Sequence, residues 1–156
     1  MRAALFPACA AILAGAASAD PVTSADPVGR MQAIVTDFCG KSDYADDWLH
    51  RSDLNGDGID DIVIEYKLAC YDLPAPFCGA SGCMTELWYG LPGERWQLVL
   101  RTNMLGIGPV AYKDVPAVRI ATVGLACGKT HGQICESVNT FSGGEFLTLW
   151  SNAEGE

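Results

Sequence analysis

Histidine is scarce in this chain, occurring only at His50 and His131. Nucleophilic catalysis needs a base within hydrogen-bond reach of a serine, cysteine or threonine, and no G-x-S-x-G elbow accompanies either histidine. His131, between Thr130 and Gly132, and His50, near Trp48 and Arg51, both read as surface residues. No two cysteines are spaced Cys-x-x-Cys, which argues against zinc when only two histidines are available. Carboxylate pairs such as Glu65 and Glu86 could serve glycoside hydrolysis, but any β protein offers such pairs. The chain therefore reads as a non-enzyme. Basic residues are also few, ten against nineteen acidic ones. A surface of that sign repels nucleic acid and anionic lipid and favours cations or basic partners.

Long apolar runs are missing as well. The one candidate, from Ala3 to Ala17, is shorter than the ~20 residues that cross a bilayer. Arg2 precedes it and Ala17-Ser18-Ala19 follows, the order of a secretory signal peptide cut after Ala19. Residues 1–19 are thus expected to be a leader, and 20–156 a single domain with no membrane span, periplasmic or secreted. Cys9 leaves with the leader, and loss of Arg2 takes the net charge from −9 to −10.

What remains is patterned. Residues 20–26 carry few large apolar groups and read as a flexible lead-in. Asp26-Pro27 has the form of an N-cap followed by proline at the first helical position. Val28, Met31, Ile34, Val35 and Phe38 follow at helical spacing, and Gly40 can supply a left-handed stop. One amphipathic helix over about 27–39 is predicted. Beyond it the period becomes two: Ile62, Ile64, Tyr66 and Leu68 alternate with Val63, Glu65 and Lys67. Similar runs lie at about 84–90, 95–101, 117–123, 136–142 and 145–150. Leu91-Pro92-Gly93, Gly106 with Gly108-Pro109, and Ser142-Gly143-Gly144 read as the turns between them. The expectation is a mainly β fold, an antiparallel meander of about six to seven strands with one N-terminal helix. Trp88 and Tyr89 must point to opposite faces, so at least one of them covers a second layer or meets a partner.

The two halves of the β region resemble each other. Residues 59–70, IDDIVIEYKLAC, align with 116–127, PAVRIATVGLAC, and each run leads to a cysteine loop, a strand, a glycine turn and another strand. This similarity is compatible with two pseudo-repeats or with chance.

Six cysteines, Cys39, Cys70, Cys78, Cys83, Cys127 and Cys135, form an even set that reads as three disulfides in an exported protein. Cys78 with Cys83 and Cys127 with Cys135 could each staple the loop between consecutive strands, leaving Cys39 to tie the helix to Cys70. The competing scheme pairs Cys70 with Cys83 and Cys39 with Cys78.

The most informative stretch is Asp53-Leu54-Asn55-Gly56-Asp57-Gly58-Ile59-Asp60-Asp61. Calcium takes six to eight oxygens, and a short loop delivers them from alternate positions when a glycine permits the bend. Asp53, Asn55 and Asp57 stand at positions 1, 3 and 5, Gly58 at 6, Ile59 at 7 and Asp61 at 9. Without a cation these carboxylates repel one another. The rival reading is a polar turn, since Asp, Asn and Gly favour turns with or without metal. The neighbouring Asp43, Asp46 and Asp47 read as a solvated approach.

DLNGDGIDDIVI resembles the EF-hand-like calcium loops of FG-GAP and VCBS repeats, in which D-x-[DN]-x-D-G-x-x-D runs into an apolar strand. The resemblance covers about a dozen residues. It implies calcium held by Asp53, Asn55, Asp57 and Asp61, with Ile59 contributing its carbonyl. CGASGC and ELWYG also resemble small periplasmic proteins of unassigned function. Position 12, where an EF-hand carries a bidentate Glu, is Ile64, with Glu65 one place late. That departure points to a structural ion with water completing its shell, and away from a regulatory helix–loop–helix. The expected role is a calcium-stabilised binding or interaction protein of the bacterial envelope. The alternative is an inhibitor or immunity-type protein acting on a basic enzyme such as a lysozyme.

Overall fold

In the computed structural model, which describes residues 21–40, 44, 48–70, 76–130, 132–142 and 145–152, the predicted helix α1 runs Pro27–Cys39. Asp26 caps it by accepting from Gly29 N at 2.8 Å, and Gly40 ends it in the left-handed conformation. The expected leader, Asp43, Asp46, Asp47, His131 and the Gly143-Gly144 turn lie outside the described residues.

The described strands form two antiparallel sheets. The first contains β1 (Thr23–Ser24), β2 (Leu49–Ser52), β3 (Asp61–Glu65), β4 (Cys78–Gly79), β5 (Gly82–Leu91) and β6 (Arg95–Met104). Their order is β1-β6-β5-β3-β2, with β4 paired to β5. The second contains β7 (Gly106–Tyr112), β8 (Val115–Val123), β9 (Ile134–Ser142) and β10 (Glu145–Ser151), in the order β10-β9-β8-β7. The fold is therefore mainly β with a single helix, built as two meanders. The orders β6-β5-β3-β2 and β10-β9-β8-β7 match, and each half places a 3-10 turn, Tyr66–Leu68 or Gly124–Cys127, after its second strand. Leu105 alone joins β6 to β7, so the chain changes sheets within one residue.

Four sequence expectations change. Thr23 and Ser24 pair with Gln97 and Trp96, so part of the lead-in is a strand. The run through Leu68 ends as a strand at Glu65, where a 3-10 turn redirects the chain toward Cys70 and its partner Cys39. Strand β2, Leu-His-Arg-Ser, is too polar to announce itself and survives as an edge. Gly106, Gly108 and Pro109 lie within β7, another edge, where a proline without an N–H leaves no ladder bond unmade.

Each face of the first sheet is covered. Met31 and Val35 of α1 pack fully buried on Ile62, Ile64, Tyr66 and Trp88. Burial of such side chains contributes about 1.5–3 kcal/mol each. On the opposite face Leu54, Val63, Leu87 and Tyr89 meet Val118 and Ile120 of the second sheet. Trp88 and Tyr89 thus serve the two cores, Tyr89 stacking on Phe141 with ring centroids 4.3 Å apart. The disulfides are Cys39–Cys70, Cys78–Cys83 and Cys127–Cys135, the first of the two schemes. Three such bonds suit an oxidising compartment. No helix among the described residues is long and apolar enough to cross a membrane.

Candidate metal centre

Strands β2 and β3 pair from Leu49–Ile64 to Ser52–Asp61, leaving residues 53–60 as the loop between them. The loop folds around its own acidic side chains. Asp53 accepts N–H bonds from Gly56 at 2.7 Å, Asp57 at 3.2 Å and Gly58 at 2.9 Å. These amides, Gly58 foremost, hold the Asp53 carboxyl below its usual range. Asn55 Oδ1 accepts from Asp57 N at 3.0 Å, and Asp57 Oδ1 accepts from Ile59 N at 2.8 Å. Asn55 Nδ2 also donates to Asp57 Oδ2 at 2.9 Å. Gly56 and Gly58 have φ of 79° and 84°, which permits the two tight bends this winding needs.

The loop is fastened to both sheets. Leu54 is buried between them. A methyl group at Gly56 would meet Pro116 Cγ of β8 at 2.8 Å, and Trp96 Nε1 donates to Asp60 O at 3.2 Å. Asp61 forms the base. It is fully buried, accepting from Leu54 N at 2.8 Å with Oδ2 and from Gly90 N at 2.9 Å with Oδ1. Burial outweighs these amides and raises its pKa to about 6.

Among the five residues expected to bind metal, Asp53, Asn55 and Asp57 are joined by hydrogen bonds within the loop. Ile59 donates its N–H to Asp57, and Asp61 sits below, turned into the protein. Among the described residues no three His, Cys, Asp or Glu side chains are gathered as a metal-holding group. The donor chemistry fits a hard cation nonetheless: every candidate ligand is an oxygen, and a carboxylate oxygen with one N–H bond keeps a second lone pair. One buried polar atom lies on the strand next to Asp61. The Tyr89 hydroxyl is buried and has no hydrogen-bond partner. Sequence reading placed Tyr89 in a strand and missed this; the alternation that sets it opposite Trp88 was the available signal.

Other polar candidates do not converge. Glu86 pairs with Ile64 and faces α1, whereas Glu65 is one residue along β3 and faces the second sheet. These two carboxylates therefore cannot flank a common substrate. His50 Nε2 lies 3.4 Å from Glu65 Oε1 on the edge strand. A cavity of about 360 Å3 opens between the free edges of the two sheets, floored by Leu54, Val63, Ile107 and Val118, with His50 and Arg51 at its rim.

Comparison with known proteins finds no matching protein-family model, no matching curated protein and no matching solved structure.

Proposed function

We propose that this chain is an exported, calcium-stabilised binding protein of the bacterial envelope, with residues 1–19 as its leader. Its Asp53–Asp61 loop takes a structural Ca2+. The observation that carries this reading is the loop's winding. Asp53, Asn55 and Asp57 fold back onto the loop's own amides around left-handed glycines, in a segment fastened to one sheet through Asp61–Gly90 and to the other through Leu54 and Pro116. Asp53, Asn55, Asp57, the Ile59 carbonyl and Asp61 would supply oxygens, and water would complete the shell. An ion bound there stabilises the native state by mass action and holds the sheets in register. The test is calorimetric titration of residues 20–156 with CaCl2, together with melting in calcium and in chelator. Binding and a higher melting temperature in calcium, both lost in Asp57→Ala, support the reading; identical curves remove it.

A second reading, an inhibitor of a basic enzyme, is favoured by the placement of acidic residues. Asp53, Asp57, Asp60, Glu94 and Asp114 are all exposed. The contacts of Gly56 with Pro116 and of Trp96 with Asp60 bring their loops to one end of the molecule. Such a face steers a cationic partner. Retention of lysozyme-like enzymes at low salt that vanishes in high salt and in the Asp57→Lys, Asp60→Lys variant supports it. No retention at either salt removes it.

A further inference from the structure

The Cys78–Cys83 disulfide differs from the other two in position, access and span. Strand β3 ends at Glu65, opposite Thr85, and β4 then takes its place beside β5, with Cys78 directly opposite Cys83 and Gly79 opposite Gly82. Beyond these two pairs, Met84 N donates to Phe77 O at 2.8 Å. So short a strand needs further support to stay in place. Phe77, next to Cys78, sets its ring on Phe38 and Tyr66, with centroids 5.3 and 5.1 Å apart. Cys78 and Cys83 are both half-buried, and Gly79, Ala80 and Ser81 of the turn between them are exposed. In each of the other bonds one partner is shut in, Cys70 at 4% exposure and Cys135 at 3%. Thiol–disulfide exchange needs a thiolate to reach one sulfur while the other departs as a thiolate. Attack on Cys39 or Cys127 would expel that charge into the interior, which disfavours it, whereas either sulfur of Cys78–Cys83 departs toward solvent. The sequence separations are 5 for Cys78–Cys83, 8 for Cys127–Cys135 and 31 for Cys39–Cys70. Stabilisation by a cross-link grows with the loop it closes, so opening Cys78–Cys83 costs the fold least.

We propose that Cys78–Cys83 is a reversible thiol-exchange site, opened by a dithiol reductant while the fold stands, and that its state decides whether β4 holds Phe77 over Phe38 and Tyr66. The dithiol's thiolate attacks one sulfur and forms a mixed disulfide as the Cys78–Cys83 bond breaks, and the displaced cysteine takes up a proton. The second thiol then displaces the remaining cysteine, so the reductant ends as a disulfide and Cys78 and Cys83 as two thiols. Without its staple β4 detaches from β5 and lifts Phe77 from the aromatic cluster. The apolar surface uncovered adjoins Phe38, itself 61% exposed. Neither cysteine belongs to the Asp53–Asp61 loop, so the proposal is independent of the calcium reading.

The test is stepwise reduction of the oxidised, folded protein with dithiothreitol, trapping with iodoacetamide and mapping of the labelled cysteines by mass spectrometry. Cys78 and Cys83 should be alkylated while Cys39–Cys70 and Cys127–Cys135 stay intact. Before alkylation, the partly reduced form should lose hydrogen-exchange protection at the Met84 amide and keep it at Val63, inside the first sheet. Oxidised glutathione should restore both the bond and the protection. Cys78→Ser with Cys83→Ser should fold with the other two disulfides formed and show the same unprotected Met84 amide, which separates loss of the bond from any effect of the reagent. Resistance of Cys78–Cys83 in the folded protein, earlier reduction of another bond, or loss of all three in one unfolding step overturns the proposal. So does unchanged Met84 protection after reduction, since the staple would then control nothing. Failure of the double variant to fold also overturns it, because the bond would then belong to the frame of the fold.

Discussion

Trp88 Nε1 donates to Glu86 Oε2 at 2.8 Å, joining two fully buried residues on the same face of β5. The other carboxylate oxygen receives Tyr66 Oη at 3.1 Å, Arg101 Nε at 2.7 Å and Arg30 Nη1 at 3.2 Å. Arg30 in turn lies over the Trp88 ring, 5.7 Å from its centroid. One carboxylate thus ties α1, the 3-10 turn after β3, and strands β5 and β6. Glu86→Ala leaves the Trp88 and Tyr66 donors buried without acceptors, while the two arginines can turn to water. The expected cost is about 3–5 kcal/mol in urea unfolding, and Glu86→Gln, which keeps an acceptor, should cost clearly less. Equal stability of Glu86→Ala and wild type would show that the network contributes nothing.

Asp61 predicts an acid dependence of unusual sign. Its folded pKa, about 6, lies above the ordinary 3.8, so the native state holds this proton more tightly than the unfolded chain. The associated stability is full below the ordinary value and is lost as pH rises through about 6. Asp53, held low by the loop amides, acts oppositely and loses its contribution as pH falls. In chelator, melting temperatures of wild type and Asp61→Asn should therefore converge in their pH dependence above about pH 6 and diverge between 4 and 6, the wild type gaining more on acidification. Parallel curves throughout would contradict the raised pKa.

Gly90 is where the loop base touches β5. A Cβ there would lie 2.5 Å from Ile59 Cγ2 and 2.6 Å from Asp60 O. The backbone oxygen cannot rotate away, so Gly90→Ala must displace the segment that holds Asp61. A loss of about 1–3 kcal/mol is expected, with weaker calcium binding in the same variant. Thermal melting and calorimetry read both, and an unperturbed melt would show that the loop shifts freely.

Met31 fixes the helix to the first sheet, fully buried against the Ile62, Ile64 and Trp88 cluster. Met31→Ala should cost about 2–5 kcal/mol in chemical unfolding. Phe38, 61% exposed on the same helix, should change stability far less when truncated, which separates packing from helix propensity.

Helix α1 was legible to the residue because its determinants are local. Asp26, Pro27 and Gly40 act within one turn of where they stand, and Met31 and Val35 repeat at the helical period. The alternation of Ile62, Val63 and Ile64 was equally legible. The end of that strand at Glu65 was not, because a 3-10 turn there is required by a cysteine at the far end of a helix. Strands β2 and β7 were missed for a related reason: edge strands need little apolar content, and glycine or proline is tolerated there. The acidic loop was found from spacing alone, whereas Tyr89 was invisible as a neighbour of Asp61, being 28 residues further along the chain.

By itself the amino-acid order determined the mainly β class, the bounds of the single helix, the even set of cysteines and the position of the acidic loop, because periodicity, capping and turn chemistry are set by residues a few positions apart. Tertiary structure alone decided between the two cysteine schemes, sent Glu65 and Glu86 to opposite faces, buried Asp61 beneath its loop and left the Tyr89 hydroxyl buried and unpaired. Those outcomes depend on which layer covers each face of a sheet, and burial, which sets both the energy of a charge and the need of a hydroxyl for a partner, exists only once distant strands have met.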